Sequence, residues 1–221
     1  MASAAVASFQ ARPCAAFTAR RSNSGRRVRR AAALVHAAVK TAGTATSGLE
    51  IGGKRPTSPK AWELISTTLK KNGVAFIGLD QAEAAARKGT PIVDVRPDDQ
   101  YNTGRLPGAV NCQFYQPITG WGPAKIARRV GFTLFGVPGT EANPDFIEQV
   151  SAAVPKKSGG MILVCNIGGT LEPTGPSEFG RQSRSLTAAY ELVQAGFSNI
   201  KVLEGGYNAW ARDEREVEMV Q

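Results

Sequence analysis

The sequence is poor in the side chains on which most metal sites and acid–base pairs depend. It has one histidine, His36, and three cysteines, Cys14, Cys112 and Cys165, with no CxxC spacing. Zinc sites are built from clusters of such ligands, so we expect no metal site, and no cofactor is expected either. The sequence allows a disulfide between Cys112 and Cys165, although a reducing compartment usually keeps such thiols free.

Acidic residues are absent from the first 49 positions, where Ala, Ser and Arg are frequent. From residue 41 onward, 19 basic and 18 acidic residues nearly balance, which removes the electrostatic argument for nucleic-acid binding. We therefore expect residues 1–45 to be a disordered transit peptide and linker that directs the protein to the chloroplast, in the stroma or associated with the thylakoid. A mitochondrial address is the alternative, and a basic tail for an acidic partner is another interpretation.

Long apolar runs are also missing, so no transmembrane helix is expected. Short apolar strands instead alternate with amphipathic helices, and this pattern predicts an α/β fold over residues 74–215, with a mostly parallel five-stranded sheet and helices on both faces. The expected strands are Ala75–Ile77, Pro91–Arg96, Ala109–Cys112, Met161–Val164 and Ile200–Leu203.

Capping residues predict where several helices begin. Ser58 and Pro59 start a helix in an N-terminal extension over 46–73, Asp80 caps a second helix, and Asn143-Pro144 caps a third. A later helix is expected from about Gln182 to Ala195. The segment from Lys125 to Phe135 is apolar with a basic step, Arg128-Arg129. It is either a helix that packs on the domain's own sheet or a helix that lies on a membrane surface.

Cys165 follows the apolar run Met161–Val164 and begins a loop that contains Gly168 and Gly169. Reactive groups of parallel α/β folds gather at the carboxyl ends of strands, so we expect this thiol at an opening there. A thiolate needs stabilisation by loop N–H groups, by a helix start or by a cation, and Arg181 and Arg184 are the candidate cations. The alternatives are a small buried core cysteine and two solvated arginines.

Asp94 and Arg96 end the strand before this one and are expected to pair. Their pair either orients the cysteine loop or is purely structural. Gly205 and Gly206 are expected to serve backbone geometry, and Trp210 is expected in the core.

Four ordered motifs give the chain a resemblance to a known family. Ile92–Arg96, Gly104–Ala109, the Cys165 loop, and Gly196–Gly206 with Trp210 resemble the successive signatures of a rhodanese domain. They are most similar to the single-domain rhodanese-like proteins of plant and algal plastids. The resemblance implies that Cys165 holds a persulfide. It also implies substrate binding by a group of loop and helix residues: Asn166, Ile167, Gly168, Gly169, Thr170, Arg181 and Arg184.

The sequence departs from that family at two places. Arg105 replaces the histidine of the usual Gly-His-Ile-Pro-Gly motif, and it is expected to support the site with Asp94 and Arg96. The usual Arg-Ser pair corresponds to Arg184-Ser185, displaced by the insertion Leu171–Gly180. Phosphatases of the same fold family place an arginine six positions after the cysteine. Leu171 stands there, which disfavours phosphatase chemistry.

Two functions follow as expectations. The first is a plastid sulfurtransferase that moves sulfane sulfur from a small anionic donor such as thiosulfate, through Cys165, to a thiol or cyanide acceptor. The second is a rhodanese-fold binding module with little turnover, which docks on a protein partner or at the thylakoid surface.

Overall fold

The computed structural model describes residues 48–134, 139–173 and 179–219. The leader predicted over 1–45 lies outside these ranges, as does the middle of the insertion after Thr170. The strands of the described ranges are β1 (Ala75–Ile77), β2 (Ile92–Asp94), β3 (Val110–Asn111), β4 (Tyr115–Pro117), β5 (Thr140–Ala142), β6 (Met161–Val164) and β7 (Ile200–Leu203). The helices are α1 (Pro59–Lys71), α2 (Leu79–Arg87), α3 (Asp98–Thr103), α4 (Pro123–Leu134), α5 (Phe146–Ala153), α6 (Arg184–Gln194) and α7 (Gly206–Arg212).

A five-stranded parallel sheet forms the centre of the domain, with the strand order β1-β7-β6-β2-β3. Two of the three interior strands, β6 and β2, are buried along their whole length. In the register of this sheet Asp94 lies opposite both Val164 and Asn111, so β2, β6 and β3 end at the same level. The predicted α/β fold with a five-stranded sheet is confirmed, and the carboxyl ends of these strands lie together at one edge.

Apolar side chains cover both faces of the sheet, which explains why its central strands are continuously hydrophobic. One face packs against α1, α5 and α6 through residues that include Ile65, Val150 and Leu192. The other face packs against α2 and α7 through Ala82 and Trp210, so the prediction that Trp210 lies in the core is confirmed. No helix in the described ranges is long and apolar enough to cross a bilayer.

The N-terminal extension contributes directly to this core. Leu49 and Ile51 are buried before α1 begins, and Trp62, Ile65 and Leu69 of α1 are buried on the face shared with α6. α1 and α6 are in extensive contact. The helix that follows the Cys165 loop is therefore supported by a segment near the start of the described chain.

Helix starts differ from the predictions at two positions. Asp80 does not cap α2, which is preceded by Gly78; the Asp80 carboxylate instead pairs with the Arg215 guanidinium. Asp145, not Asn143 or Pro144, is the capping residue of α5, and the Asn143 side chain accepts a hydrogen bond of 3.0 Å from the Asp145 amide. Both side chains were competent caps, but a tertiary partner or a preceding turn engages each of them.

An antiparallel ribbon of β4 and β5 lies outside the central sheet and was not predicted. Its strands have three residues each, and β4 ends in Pro117, so neither shows the alternating pattern typical of a half-buried strand. The helix α4 lies between them in the chain, where the sequence predicted a helix over Lys125–Phe135.

Candidate active site

Cys165 immediately follows β6 at the carboxyl edge of the sheet, as predicted. The residue is only 1% exposed, however, so the thiol is buried and does not face solvent as expected. The physical reason is that Cys165 belongs to the buried apolar cluster that also contains Leu171 and Leu186, while the start of α7 packs against its backbone.

The Cys165 loop, residues 165–170, contains two glycines in the left-handed region. Gly168 has φ +68° and Gly169 has φ +82°. A methyl group on Gly168 would overlap the Leu203 carbonyl oxygen, so close packing also requires glycine there. Within the described part of the chain, the N–H groups of Asn166, Ile167 and Gly168 donate to no protein acceptor. Consecutive free amides of this kind form a concave anion-binding surface.

The insertion leaves the Cys165 loop after Thr170 and returns to it at Arg181. We call these two residues the closure pair. The Thr170 amide donates to the Arg181 carbonyl at 2.9 Å, and the Arg181 amide donates to the Thr170 carbonyl at 3.0 Å. Thr170 and Arg181 are therefore neighbours in space although ten residues separate them. The six-residue loop is followed spatially by Arg181 and the start of α6, as if the insertion were absent.

Ser183 fastens this loop to α6. Its hydroxyl donates to the Gly168 carbonyl at 2.6 Å and accepts a hydrogen bond of 3.2 Å from the Leu186 amide. The second contact caps the N-terminus of α6. One buried hydroxyl thus links the loop conformation to the helix whose positive end points toward it.

The chain between β7 and α7 holds the other side of the loop. The Tyr207 amide donates to the Cys165 carbonyl at 2.8 Å, and the Asn208 amide donates to the Asn166 carbonyl at 3.0 Å. A methyl group on Gly206 would overlap the Cys165 carbonyl oxygen. The glycine pair therefore permits close backbone approach.

Asp94 and Arg96 form the ion pair expected from the sequence, and it is fully buried. The Arg96 Nη2–Asp94 Oδ2 distance is 2.7 Å, and Arg96 Nη2 also donates to the Gly104 carbonyl at 2.6 Å. The guanidinium lies 3.8 Å from the centroid of the Tyr207 ring. Since the Tyr207 amide binds the Cys165 carbonyl, the pair is connected to the loop through α7.

Arg105 is engaged elsewhere. Its backbone pairs with Glu218, and its Nε lies 3.2 Å from the Glu218 carboxylate. The guanidinium also lies 4.9 Å from the Tyr101 ring centroid. The residue at the family's histidine position therefore holds the C-terminal segment of the domain.

Two cations and two buried polar atoms near the loop have no protein partner within the described residues. Arg181 is exposed and Arg184 is half-buried, and neither guanidinium forms an ion pair or a hydrogen bond. The Ser185 hydroxyl and the Asn166 Oδ1 atom are buried without a hydrogen bond. Leu171, at the position of a phosphatase arginine, is 3% exposed in the core.

Cys112 follows β3, two strands away from Cys165 in the sheet order, and both thiols are free. Burial raises the pKa of the Cys112 thiol to about 11, so it is neutral at physiological pH. The disulfide that the sequence left open is not formed, and Cys112 is a core residue.

Within the described ranges, no group of three or more His, Cys, Asp or Glu side chains is close enough to hold a metal ion. A groove of about 360 Å³ lies between α2, Pro107 and α7, with Trp210 and Arg215 among its lining residues. It does not include the Cys165 loop.

This fold and this cysteine loop are those of a single rhodanese-like domain. The family profile described as "Rhodanese-like domain" matches residues 79–213, and the chain belongs to this family. The resemblance inferred from the sequence is confirmed.

Relatives at the sequence level include plastid proteins of the same family. The chain is 36% identical over 192 residues to "Rhodanese-like domain-containing protein 14, chloroplastic" from Arabidopsis thaliana, and the match covers 85% of each chain. It is 30% identical over 125 residues to "Thiosulfate sulfurtransferase 16, chloroplastic" from the same plant, covering 57% of this chain and 77% of the relative. A shorter match, 35% over 72 residues, is to "Protein HIGH ARSENIC CONTENT 1, mitochondrial", also from Arabidopsis thaliana; it covers 33% of this chain and 34% of that one.

Among solved structures, a thiosulfate sulfurtransferase from Pseudomonas aeruginosa matches with a TM-score of 0.43 at 16% identity. That match covers 72% of this chain and 23% of the other.

Several residues that build the site were not predicted. Ser183, Tyr207 and Asn208 hold the loop, two of them through backbone amides that no side-chain pattern reveals. Of these three residues, only Ser183 could have been predicted from the sequence, because a serine directly before a helical segment is a typical N-cap.

Proposed function

We propose that the protein is a plastid sulfurtransferase that transfers sulfane sulfur through Cys165. The observation that supports it best is the Cys165 loop itself. A strand-end cysteine is followed by three unpaired amides, and Arg184 at the start of α6 is without a partner within the described residues. The relative named as a thiosulfate sulfurtransferase agrees with this chemistry.

The proposed reaction has two balanced steps. The Cys165 thiolate attacks the outer sulfur of thiosulfate, the sulfur–sulfur bond of the donor breaks, and sulfite leaves with the bonding electrons. The enzyme is left with a persulfide. An acceptor thiol or cyanide then attacks the outer sulfur, and the electrons of the breaking bond return to Cys165 as a thiolate. No external oxidant or reductant is consumed.

Loop residues have distinct parts in this proposal. The free amides of Asn166, Ile167 and Gly168 stabilise the anionic sulfur. The guanidinium of Arg184, and that of Arg181 in the closure pair, bind the anionic end of the donor. Ile167 is 38% exposed, so it lines the approach by which an acceptor reaches the loop. Thr170 fixes the end of the loop through the closure pair.

Mass spectrometry of the intact chain after exposure to thiosulfate tests this proposal directly. The leader cysteine is first replaced by Cys14→Ser. In that background we expect a gain of one sulfur atom, its loss in Cys165→Ser, and its retention in the matched control Cys112→Ser. A gain in Cys165→Ser, or equal thiocyanate formation by all three chains, would refute the assignment.

The burial of Cys165 favours a second candidate. A thiol that is 1% exposed reacts only when the covering segments move, so the domain is alternatively a binding module with little turnover. In that case, neither thiosulfate nor an alkylating reagent at neutral pH would modify Cys165 in the folded chain. The same two measurements therefore separate the two candidates.

For localisation we propose the chloroplast, because the leader is rich in Ala, Ser and Arg and two of the relatives above are chloroplastic. The mitochondrial relative keeps that organelle as the alternative. A fluorescent protein fused after residue 60 should accumulate in chloroplasts. Accumulation in mitochondria would assign the alternative address.

A further inference from the structure

The helix α4 has an unusual orientation on the domain. Its polar side faces the protein: Lys125 Nζ and Arg128 Nη1 lie 3.2 Å and 3.8 Å from the Glu141 carboxylate. Arg129 Nη2 donates to the Ile118 carbonyl at 2.6 Å. The Arg128 side chain is 9% exposed. The charged residues of a surface helix normally face solvent, but in α4 only Lys125 is well exposed, at 41%, while Arg128 lies against the protein.

The opposite side of α4 is apolar and exposed. It consists of Pro123, Ile126, Ala127 and Val130, which we call the outward face, and it has no charged or hydrogen-bonding side chain. Ile126 is 42% exposed and Val130 is 53% exposed. Such a continuous apolar face is costly in water and marks a surface that is covered by something else.

Trp121 lies directly before this helix and is 84% exposed. The Arg129 guanidinium is 5.5 Å from its ring centroid. An indole beside a cation, next to an apolar helix face, is the arrangement found where proteins meet the boundary between lipid headgroups and acyl chains.

The charge of this region selects an anionic surface. No acidic residue occurs between Asp99 and Glu141, while Lys125, Arg128 and Arg129 are all basic. Residues 121–141 thus contain three basic residues and one acidic residue, so this segment has a formal net charge of +2. An acidic protein would need hydrogen-bond partners on the outward face, which offers none; a lipid surface needs only apolar contact and positive potential.

We propose that α4 docks the domain on an anionic lipid surface, with Trp121, Ile126 and Val130 inserted at the headgroup boundary. The Cys165 loop and its chemistry are not required for this binding. The proposal therefore stands or fails independently of sulfur transfer.

Tryptophan fluorescence of the full chain tests the proposal. The chain has three tryptophans, of which Trp62 and Trp210 are buried at 7% and 3% exposure, so Trp121 is the only one that can respond to lipid. The leader contains no tryptophan, and its own attraction to anionic lipid is the same in every variant. The probe is a vesicle of phosphatidylcholine with about one third phosphatidylglycerol.

With these vesicles we expect a blue shift of the emission and quenching by brominated acyl chains. Ile126→Ser/Val130→Ser should weaken the response about tenfold or more, because two apolar contacts are lost. Leu64→Ser/Met219→Ser is the matched control, since both side chains are exposed and apolar elsewhere, and it should respond like the wild type. Circular dichroism checks that all chains are folded.

Three results would overturn the proposal. They are an emission spectrum that vesicles do not change, an equal response by the two double variants, and an equal response to vesicles of phosphatidylcholine alone. Sedimentation without lipid tests whether a second copy of the chain covers the outward face instead. A dimer that dissociates in Ile126→Ser/Val130→Ser, and not in the control variant, would assign the outward face to that second copy.

Discussion

The Tyr207 amide donates a hydrogen bond of 2.8 Å to the Cys165 carbonyl, while the Tyr207 ring lies on the buried Arg96 guanidinium. This residue connects the ion pair at the end of β2 to the loop at the end of β6. The position of the candidate nucleophile thus depends on residues from the neighbouring strand and from the last helix.

The buried ion pair should be costly to break from one side. Arg96→Met leaves the Asp94 carboxylate buried without its cation, and we expect the free energy of unfolding to fall by about 3–5 kcal/mol. In Asp94→Asn/Arg96→Met no charge remains, so the double variant should lose less. Urea denaturation measures both values, and a larger loss in the double variant would contradict this account.

Gly206 should tolerate no side chain. Gly206→Ala places a methyl group against the Cys165 carbonyl oxygen, in addition to the strain of its left-handed φ of +61°. Gly196→Ala is the control, because Gly196 also has a positive φ, +85°, but open space around it. We expect about 1–2 kcal/mol of destabilisation in the control and clearly more in Gly206→Ala, which should also lose sulfur uptake. Equal effects of the two changes would show that crowding at Cys165 is unimportant.

Ser183 should affect sulfur uptake beyond its effect on stability. Both Ser183→Ala and Ser58→Ala remove an N-cap hydroxyl, from α6 and α1 respectively, at about 1 kcal/mol each. Only Ser183 also holds the Gly168 carbonyl. We therefore expect slower persulfide formation in Ser183→Ala alone, measured by intact mass against time. Equal rates in the two variants would show that the Ser183 contact with the Gly168 carbonyl does not affect persulfide formation.

Glu191 on α6 should make stability depend on pH. Burial raises the pKa of its carboxyl from an ordinary 4.5 to about 7. The folded chain therefore binds this proton more tightly than the unfolded chain. The contribution of this protonated carboxyl to the free energy of unfolding is fully present below about pH 4.5, and it is lost as the pH rises through 7.

Glu191→Gln should accordingly be more stable than the wild type near pH 8, by about 1–3 kcal/mol, and the difference should vanish near pH 4. Thermal or urea unfolding at both pH values measures it. Glu50→Gln, at an exposed position, should show no such difference. A constant difference at all pH values would assign the effect to packing and not to ionisation.

Much of the fold could be predicted because its signals are local. The strand β6 and the N-cap Ser58 with Pro59 are encoded in consecutive residues, and both were placed correctly. The ribbon of β4 and β5 was missed because its pairing joins segments more than twenty residues apart. Asp80 was misassigned because its partner, Arg215, lies far along the chain.

The candidate site divides in the same way. Cys165 and its glycines were found from their order in the chain. The burial of the thiol was not, since it depends on packing with core residues such as Leu171 and Leu186. The Asp94–Arg96 pair was expected, but its link to the loop through the Tyr207 ring was not. Arg105 was expected near the site, and only the distant Glu218 explains its actual position.

The closure pair of Thr170 and Arg181 also separates sequence changes in the insertion from sequence changes in the Cys165 loop. Because the insertion begins and ends at hydrogen-bonded neighbours, its exposed residues, such as Glu172 and Pro173, can be replaced without altering the path of the Cys165 loop, whereas the buried Leu171 cannot. A chain with this construction can acquire a new surface beside a reactive cysteine while the geometry around the sulfur is inherited unchanged. Selection can then act on what approaches the thiol independently of how the thiol is held.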